Sequence, residues 1–235
     1  MIAGGVTTFL DIYRMPHVCA ETLERSGLRG ILAPQIVDLP EKGGEDLDYN
    51  RWLWERWHGH GGGRIHVWVG VHAPYSCLPT TYTEGYRLAR ELGVGLHTHL
   101  SETEEEVQII RQREGRSPVE YLHDLGVLGP RTVVAHGVHL TREEIRDLAS
   151  LGVKVVHNPT SNMKLASGVA PVPDMMEAGV TVALGTDSAL SNNNLDMFEE
   201  MRMAALLQKL ARRDPAAMPC LKVLEMATLG GARAL

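Results

Sequence analysis

The chain has 235 residues, 44% hydrophobic and 22% charged, with 23 basic against 29 acidic side chains and a formal net charge of −6. This balance is that of an ordinary folded domain and excludes a disordered tail, a collagen-like repeat or a bare coiled coil. The acidic surplus leaves no electrostatic footprint for nucleic acid or an anionic membrane, so neither is expected as a partner. No apolar run approaches the roughly 18 residues of a membrane span. The opening Met1-Ile2-Ala3-Gly4-Gly5-Val6 lacks the basic flank and long apolar core of a signal peptide. Three widely spaced cysteines, Cys19, Cys77 and Cys220, argue against a disulfide framework or a cysteine zinc site, and a cytoplasmic setting is expected. Cys77 has no paired base in sequence and reads as inert. The 11 histidines need an explanation.

Apolar, β-branched runs of strand length fall at 5–12, 30–37, 65–72, 94–100, 132–139, 153–157 and 180–185. Between them, residues 80–92, 104–114, 142–151 and 171–178 carry helical spacing. Continuous apolar strands alternating with amphipathic helices mean parallel βαβ units. Thr141-Arg142-Glu143-Glu144 has the capping-box spacing, and Gly93, Gly152 and Gly179 stand where a helix stops in the left-handed conformation. The glycine-rich stretch 59–63 reads as a loop before the third strand. Trp52, Trp54 and Trp57 share a helical spacing that suits packing, in a segment that could overhang the mouth.

Seven such units fit an eight-stranded (β/α) barrel, typically about 250 residues, better than a doubly wound sheet, because no Gly-x-Gly-x-x-Gly follows an early strand. The reading is one barrel domain over residues 1–235 with one unit missing, the first strand. Polar, titratable residues gather where the apolar runs end. They are His72, His97, His99 and Glu102, then His136, His139, His157 and Asp187. In a barrel these carboxyl ends converge on one mouth, and histidine with carboxylate is ligand chemistry for zinc or iron. His97 and His99 share one strand face, so either serves as ligand on spacing alone. A lone strand-end histidine is more often a hydrogen-bonded structural residue than a ligand, and Asp187 could simply cap the next segment through Ser188; the conjunction of four such strand ends is what favours a metal site. His17, His58, His60 and His123 read as surface residues, and His66 lies at the opposite barrel end.

The phrases GVHAPYSC, LHTHLSETEEE, VVAHGVHL, HNPTSNMKLASGVAPV and LGTDSALSNNNLDMFEEMR closely resemble the amidohydrolase superfamily, over nearly the whole chain. The best match is the branch holding S-adenosylhomocysteine/methylthioadenosine deaminases and triazine chlorohydrolases. The resemblance implies a metal-dependent barrel hydrolase acting on a small aminated heterocycle and releasing ammonia. The alternatives are triazine chlorohydrolysis and a non-catalytic barrel. It further implies one divalent metal, zinc first and iron second, held by His99 and Asp187. Glu102, His136 and Asp187 take catalytic roles, Glu102 as proton shuttle and Asp187 as proton acceptor. His72, Glu102 and His136 contact substrate. His139 and His157 are candidates to support the site from behind, and Asn192-Asn193-Asn194 to hold backbone beside the metal. A homo-oligomer is compatible with the pattern.

Two departures from the family pattern stand out. The superfamily carries a His-x-His pair on its first strand, which supplies two metal ligands. The one His-x-His here, His97-Thr98-His99, matches the fifth strand, and the opening AGGVTTFLDIY resembles the second. The flanking β-sandwich segments are likewise not recognised, so the sequence reads as an internal fragment with weak metal binding by itself. Secondly, the stretch Ala33-Pro34-Gln35-Ile36-Val37-Asp38, then Gly43-Gly44-Glu45, has none of the arginines with which such deaminases hold a substrate carboxylate. A neutral heterocycle or nucleoside is therefore expected.

Overall fold

The computed structural model describes residues 1–39 and 45–235; the Gly43-Gly44 part of the arginine-free stretch lies outside them. The strands are β1 (Thr8–Tyr13), β2 (Arg29–Pro34), β3 (Ile65–Val67), β4 (Val69–Gly70), β5 (Leu96–Leu100), β6 (Thr132–His136), β7 (Lys154–His157) and β8 (Thr181–Leu184). Every pairing is parallel and follows chain order, β1 through β3 and then β4 through β8. Trp68 alone separates β3 from β4, and its N–H still donates to Leu32 O at 3.0 Å. The two runs therefore occupy one strand position, giving the seven positions that the sequence suggests. Residues of both end strands, β1 and β8, border one cavity, so the wall curls round on itself. The result is a partial (β/α)8 barrel.

The apolar runs are buried because a parallel strand is covered on both faces. All five residues of β6 are buried. In β5, Leu96 and Leu100 enter the main core, and the Thr98 hydroxyl meets the buried Tyr82 OH of helix Pro79–Leu92 at 2.8 Å. Alternation then turns His97 and His99 to the barrel interior. Helix ends follow the expected chemistry. Gly93 and Gly152 sit at φ 70° as left-handed stops. Thr141 and Glu144 close a reciprocal capping box at helix Arg142–Leu151.

Some expectations need correction. β6 ends at His136 rather than 139, and the run 65–72 is broken at Trp68. The 59–63 stretch contains a single turn, His60–Gly63, with Gly61 and Gly62 in the left-handed region. Trp54 and Trp57 pack into the core, and Trp52 stays exposed. Helix Leu47–Trp57 turns Asn50, Leu53 and Trp57 inward at helical spacing, and Leu53 and Trp57 join Leu32, Ile65 and Val67 in a core on the outer side of the wall. No helix among the described residues is long and apolar enough to cross a membrane.

Candidate active site

Parallel strands deliver all their carboxyl ends to one end of the barrel, where a cavity of about 270 Å³ is bordered by His72, His97, His99, His136 and Asp187. Four of the five residues expected at the site therefore meet there, and the fifth, Glu102, joins through His136. The His136 Nε2 stands 3.8 Å from Glu102 Oε2 and 4.0 Å from Asp187 Oδ2. The His99 and His136 rings stack at 5.5 Å, 19° from parallel, and His72 lies 5.0 Å from His99.

Each imidazole is held by its second nitrogen. His99 Nδ1 donates to His72 O at 2.7 Å and His97 Nδ1 to Val133 O at 2.9 Å. A carbonyl oxygen only accepts, so in both rings Nδ1 carries the proton, and the neutral form of each ring has its lone pair on Nε2, as in metal-ligating histidines. Burial pushes His97 down to about 4, which keeps it neutral. His136 Nδ1 lies 2.8 Å from Asn162 Oδ1, and His72 Nδ1 lies 2.6 Å from Ser76 Oγ.

Burial alone would raise the Asp187 carboxyl. The Ser161 hydroxyl, the nearby His136 and the Ser188 N–H outweigh burial and hold it below the usual carboxylate range. Ser161 Oγ donates to Oδ2 and Ser188 N to Oδ1, each at 2.6 Å. Asp187 thus does brace the segment that follows, while one oxygen stays beside His136. Asn192 fits the role expected of its run. Its Nδ2 donates to Thr186 O at 2.6 Å and to the buried Glu200 at 2.7 Å, fixing the backbone next to Asp187.

Three non-glycine residues of this mouth have left-handed backbones: Ser101 (φ 49°), His136 (φ 74°) and Asp187 (φ 59°). Each such conformation costs about 1–3 kcal/mol and persists only where surroundings enforce it. At His136 it breaks strand alternation, by which Ala135 alone of the last β6 pair would face the interior. The rotation brings the ring to the cavity as well.

Sequence reasoning missed Asp11, Glu106, Ser161 and Asn162. Asp11 of β1 borders the cavity; burial first and the Asp187 charge second push it up to about 6. Its one signal was a lone carboxylate inside the apolar run TFLDIY. Burial pushes Glu106 up to about 7, against two backbone N–H donors. His139 serves the backbone instead of the cavity, its Nε2 2.7 Å from Ser167 O. A carbonyl partner makes it the donor. His157 is wholly buried, and neither ring nitrogen has a partner among the described residues.

For a metal, the donor set is mixed nitrogen and oxygen: the lone pairs of His99 and His97 and the ionised Asp187. That chemistry fits a borderline divalent ion. Among the described residues no group of three His, Cys, Asp or Glu side chains stands close enough to hold one.

The description of the amidohydrolase family matches residues 1–235. The 5'-deoxyadenosine deaminase of Methanothermobacter thermautotrophicus is 50% identical over 238 residues, covering 100% of this chain and 56% of that protein. A 5-methylthioadenosine/S-adenosylhomocysteine deaminase of Caldanaerobacter subterraneus is 46% identical over 237 residues, covering 100% and 55%. The crystal structure of an adenosine deaminase from Xanthomonas campestris with bound zinc superposes at TM-score 0.94 and 36% identity, over 100% of this chain and 54% of that one. A zinc complex of atrazine chlorohydrolase from Arthrobacter aurescens reaches 0.91 at 24% identity, over 100% and 57%, a likeness of fold alone. The chain spans about half the length of the curated relatives it matches. It belongs to the amidohydrolase family.

Proposed function

We propose that the protein carrying this barrel performs metal-dependent hydrolytic deamination of an aminated heterocycle, releasing ammonia. The candidate substrates are adenosine-type nucleosides such as methylthioadenosine or S-adenosylhomocysteine, or a related purine or pyrimidine. The observation that carries the reading is the convergence of two carboxylates, Glu102 and Asp187, within 4.0 Å of one imidazole nitrogen of His136, over the inward lone pair of His99. The similarity to proteins named as deaminases supports it.

His99 and Asp187 would hold a divalent ion, zinc before iron, with two further ligands expected from a His-x-His strand as in the family. When bound, such an ion acts as a Lewis acid and brings the pKa of water towards about 7. Asp187, kept ionised, accepts a proton from the attacking water. Glu102 moves a proton to the ring nitrogen beside the attacked carbon and then to the departing amine, the work of a positioned general acid–base. His136 accepts a hydrogen bond at Nε2 and orients the incoming oxygen, while His72 contacts the ring. The balance is water plus aminated ring to carbonyl plus ammonia.

No lysine or arginine is among the described residues bordering the cavity. This favours uncharged nucleosides over those bearing a carboxylate, which are usually clamped by arginine. The same cavity leaves triazine hydrolysis as the second reading. A cytoplasmic setting and self-association complete the proposal. The test is ammonia release from adenosine, methylthioadenosine, S-adenosylhomocysteine, guanine and a chlorotriazine with zinc present. Turnover of an uncharged nucleoside ahead of S-adenosylhomocysteine is expected; chloride release with no ammonia from any nucleoside would reject the reading.

A further inference from the structure

We propose that Glu106 is a positioning residue whose carboxylate fixes the backbone that presents Glu102 to the site. The kinetic consequence rests on the deaminase reading above; the structural role does not.

Three segments of the chain share the pattern Ser/Thr-x-x-Glu at a helix start. In two of them the glutamate does what a capping box requires. Glu120 Oε2 accepts from Ser117 N at 2.8 Å, and Glu144 Oε2 from Thr141 N at 2.7 Å, each on its own N-cap residue. At helix Glu104–Glu114 the forward half is the same, with Glu106 N donating to Thr103 Oγ1 at 3.1 Å. The return half is diverted. Glu106 Oε1 accepts from Ser101 N at 3.0 Å and Oε2 from Glu102 N at 2.8 Å, two residues and one residue ahead of the N-cap.

The diversion lands on the turn that needs it. Ser101 sits at φ 49°, a conformation that serine adopts only under constraint. Its carbonyl accepts from Val138 N and His139 N, both at 3.0 Å, in the segment just past His136. The turn between the metal-facing His99 and Glu102 is thus clamped on its amide side by Glu106 and on its carbonyl side by the His136 segment. Glu106 is 2% exposed, so water does not compete for its oxygens. The ionised carboxylate, the form Glu106 takes above about 7, accepts at both oxygens, whereas a carboxamide accepts at one and presents N–H at the other. Glutamine therefore cannot keep both bonds.

The test compares E106Q with E144Q, which removes a similar buried carboxylate-to-backbone bond at the capping box of helix Arg142–Leu151 and leaves the Ser101 and Glu102 amides bonded to Glu106. Amide hydrogen exchange is read residue by residue on the whole chain. E106Q should speed exchange at Ser101 and Glu102 beyond any change along β5, and E144Q should leave both amides as in the wild type. If E106Q fails to fold, E106D, too short to reach both amides, is read the same way. With an active nucleoside substrate, E106Q should lower kcat about 10- to 100-fold, as misplacement of a catalytic group does, with KM unchanged. Unaltered exchange at Ser101 and Glu102, equal effects of E106Q and E144Q there, or wild-type kcat in E106Q would overturn the proposal. If the protein carrying this barrel, loaded with zinc, deaminates no nucleoside, the deaminase reading falls, while the exchange comparison still decides the role of Glu106.

Discussion

Asn162 Oδ1 lies 2.8 Å from His136 Nδ1, and the two residues are 0% and 1% exposed. An amide oxygen only accepts, so it assigns the proton to Nδ1 and turns the Nε2 lone pair towards Glu102 and Asp187. Replacing it with leucine strands a buried N–H, at a cost of about 1–3 kcal/mol, and releases the ring. N162L should lose kcat about 10- to 100-fold. Nitrogen NMR on the histidine ring reads the tautomer directly. Finding the proton on Nε2 in the wild type would refute this assignment.

Metal binding gives a second prediction. His99 and Asp187 face the cavity, yet no trio of suitable side chains among the described residues stands within reach of one ion. This chain by itself should therefore hold zinc weakly and lose it on dialysis. Excess zinc should still raise the melting temperature through preferential binding to the folded state, and H99A and D187N should each abolish that rise. Metal analysis showing one zinc per chain after dialysis, or an undiminished rise in both variants, would contradict this.

Much of the fold was legible in the sequence because burial on both faces leaves continuous apolar runs, and seven runs became seven strand positions. The strand-end rule gathered His72, His99, Glu102, His136 and Asp187 together with His97, His139 and His157; the resemblance singled out the first five, and the structure brings them to one mouth. What stayed hidden was conformational. Nothing in the letters announces that Ser101, His136 and Asp187 adopt left-handed backbones, since serine, histidine and aspartate prefer other regions. Nor does Thr103-x-x-Glu106 look different from Thr141-x-x-Glu144, because the destination of a carboxylate depends on a tertiary path. Asp11 was masked by its apolar neighbours. The packing of Trp54 and Trp57 followed from their spacing, but spacing tells which residues share a face, not which surface that face meets.

The pH dependence of stability has a definite sign at His157. Burial pushes its pKa down to about 3 from an ordinary 6.5. Between those values the unfolded chain binds a proton that the folded chain refuses, so stability is lost as pH falls from about 6.5 towards 3. Glu106 acts oppositely. Raised to about 7 from 4.5, it keeps a proton that the unfolded chain releases, and stability falls as pH rises through that interval. H157Q should accordingly flatten the loss on the acid side, and E106Q the loss towards neutrality. Urea unfolding of each variant from pH 4 to 8 measures both slopes, and parallel curves for wild type and H157Q would rule out the histidine contribution.

Gly185 separates a packing requirement from a backbone one. A Cβ there would lie 2.5 Å from Asn158 Oδ1 and 2.7 Å from Val156 Cγ1, and its N–H donates to His157 O at 2.9 Å. Alanine must therefore displace the Asn158 and Val156 side chains at the end of β7 or shift the β8 end, two residues before Asp187. Overpacking of this kind costs about 1–3 kcal/mol, and the displaced strand end should also weaken the zinc-dependent stabilisation. Gly179 is the contrast. It sits at φ 90°, and a methyl group added there would meet nothing within 4 Å, so G179A meets only the left-handed penalty of about 1–2 kcal/mol. G179A should thus lower the melting temperature while leaving the zinc response intact, whereas G185A should lose both. Equal zinc responses in the two variants would show that the β8 end does not position Asp187.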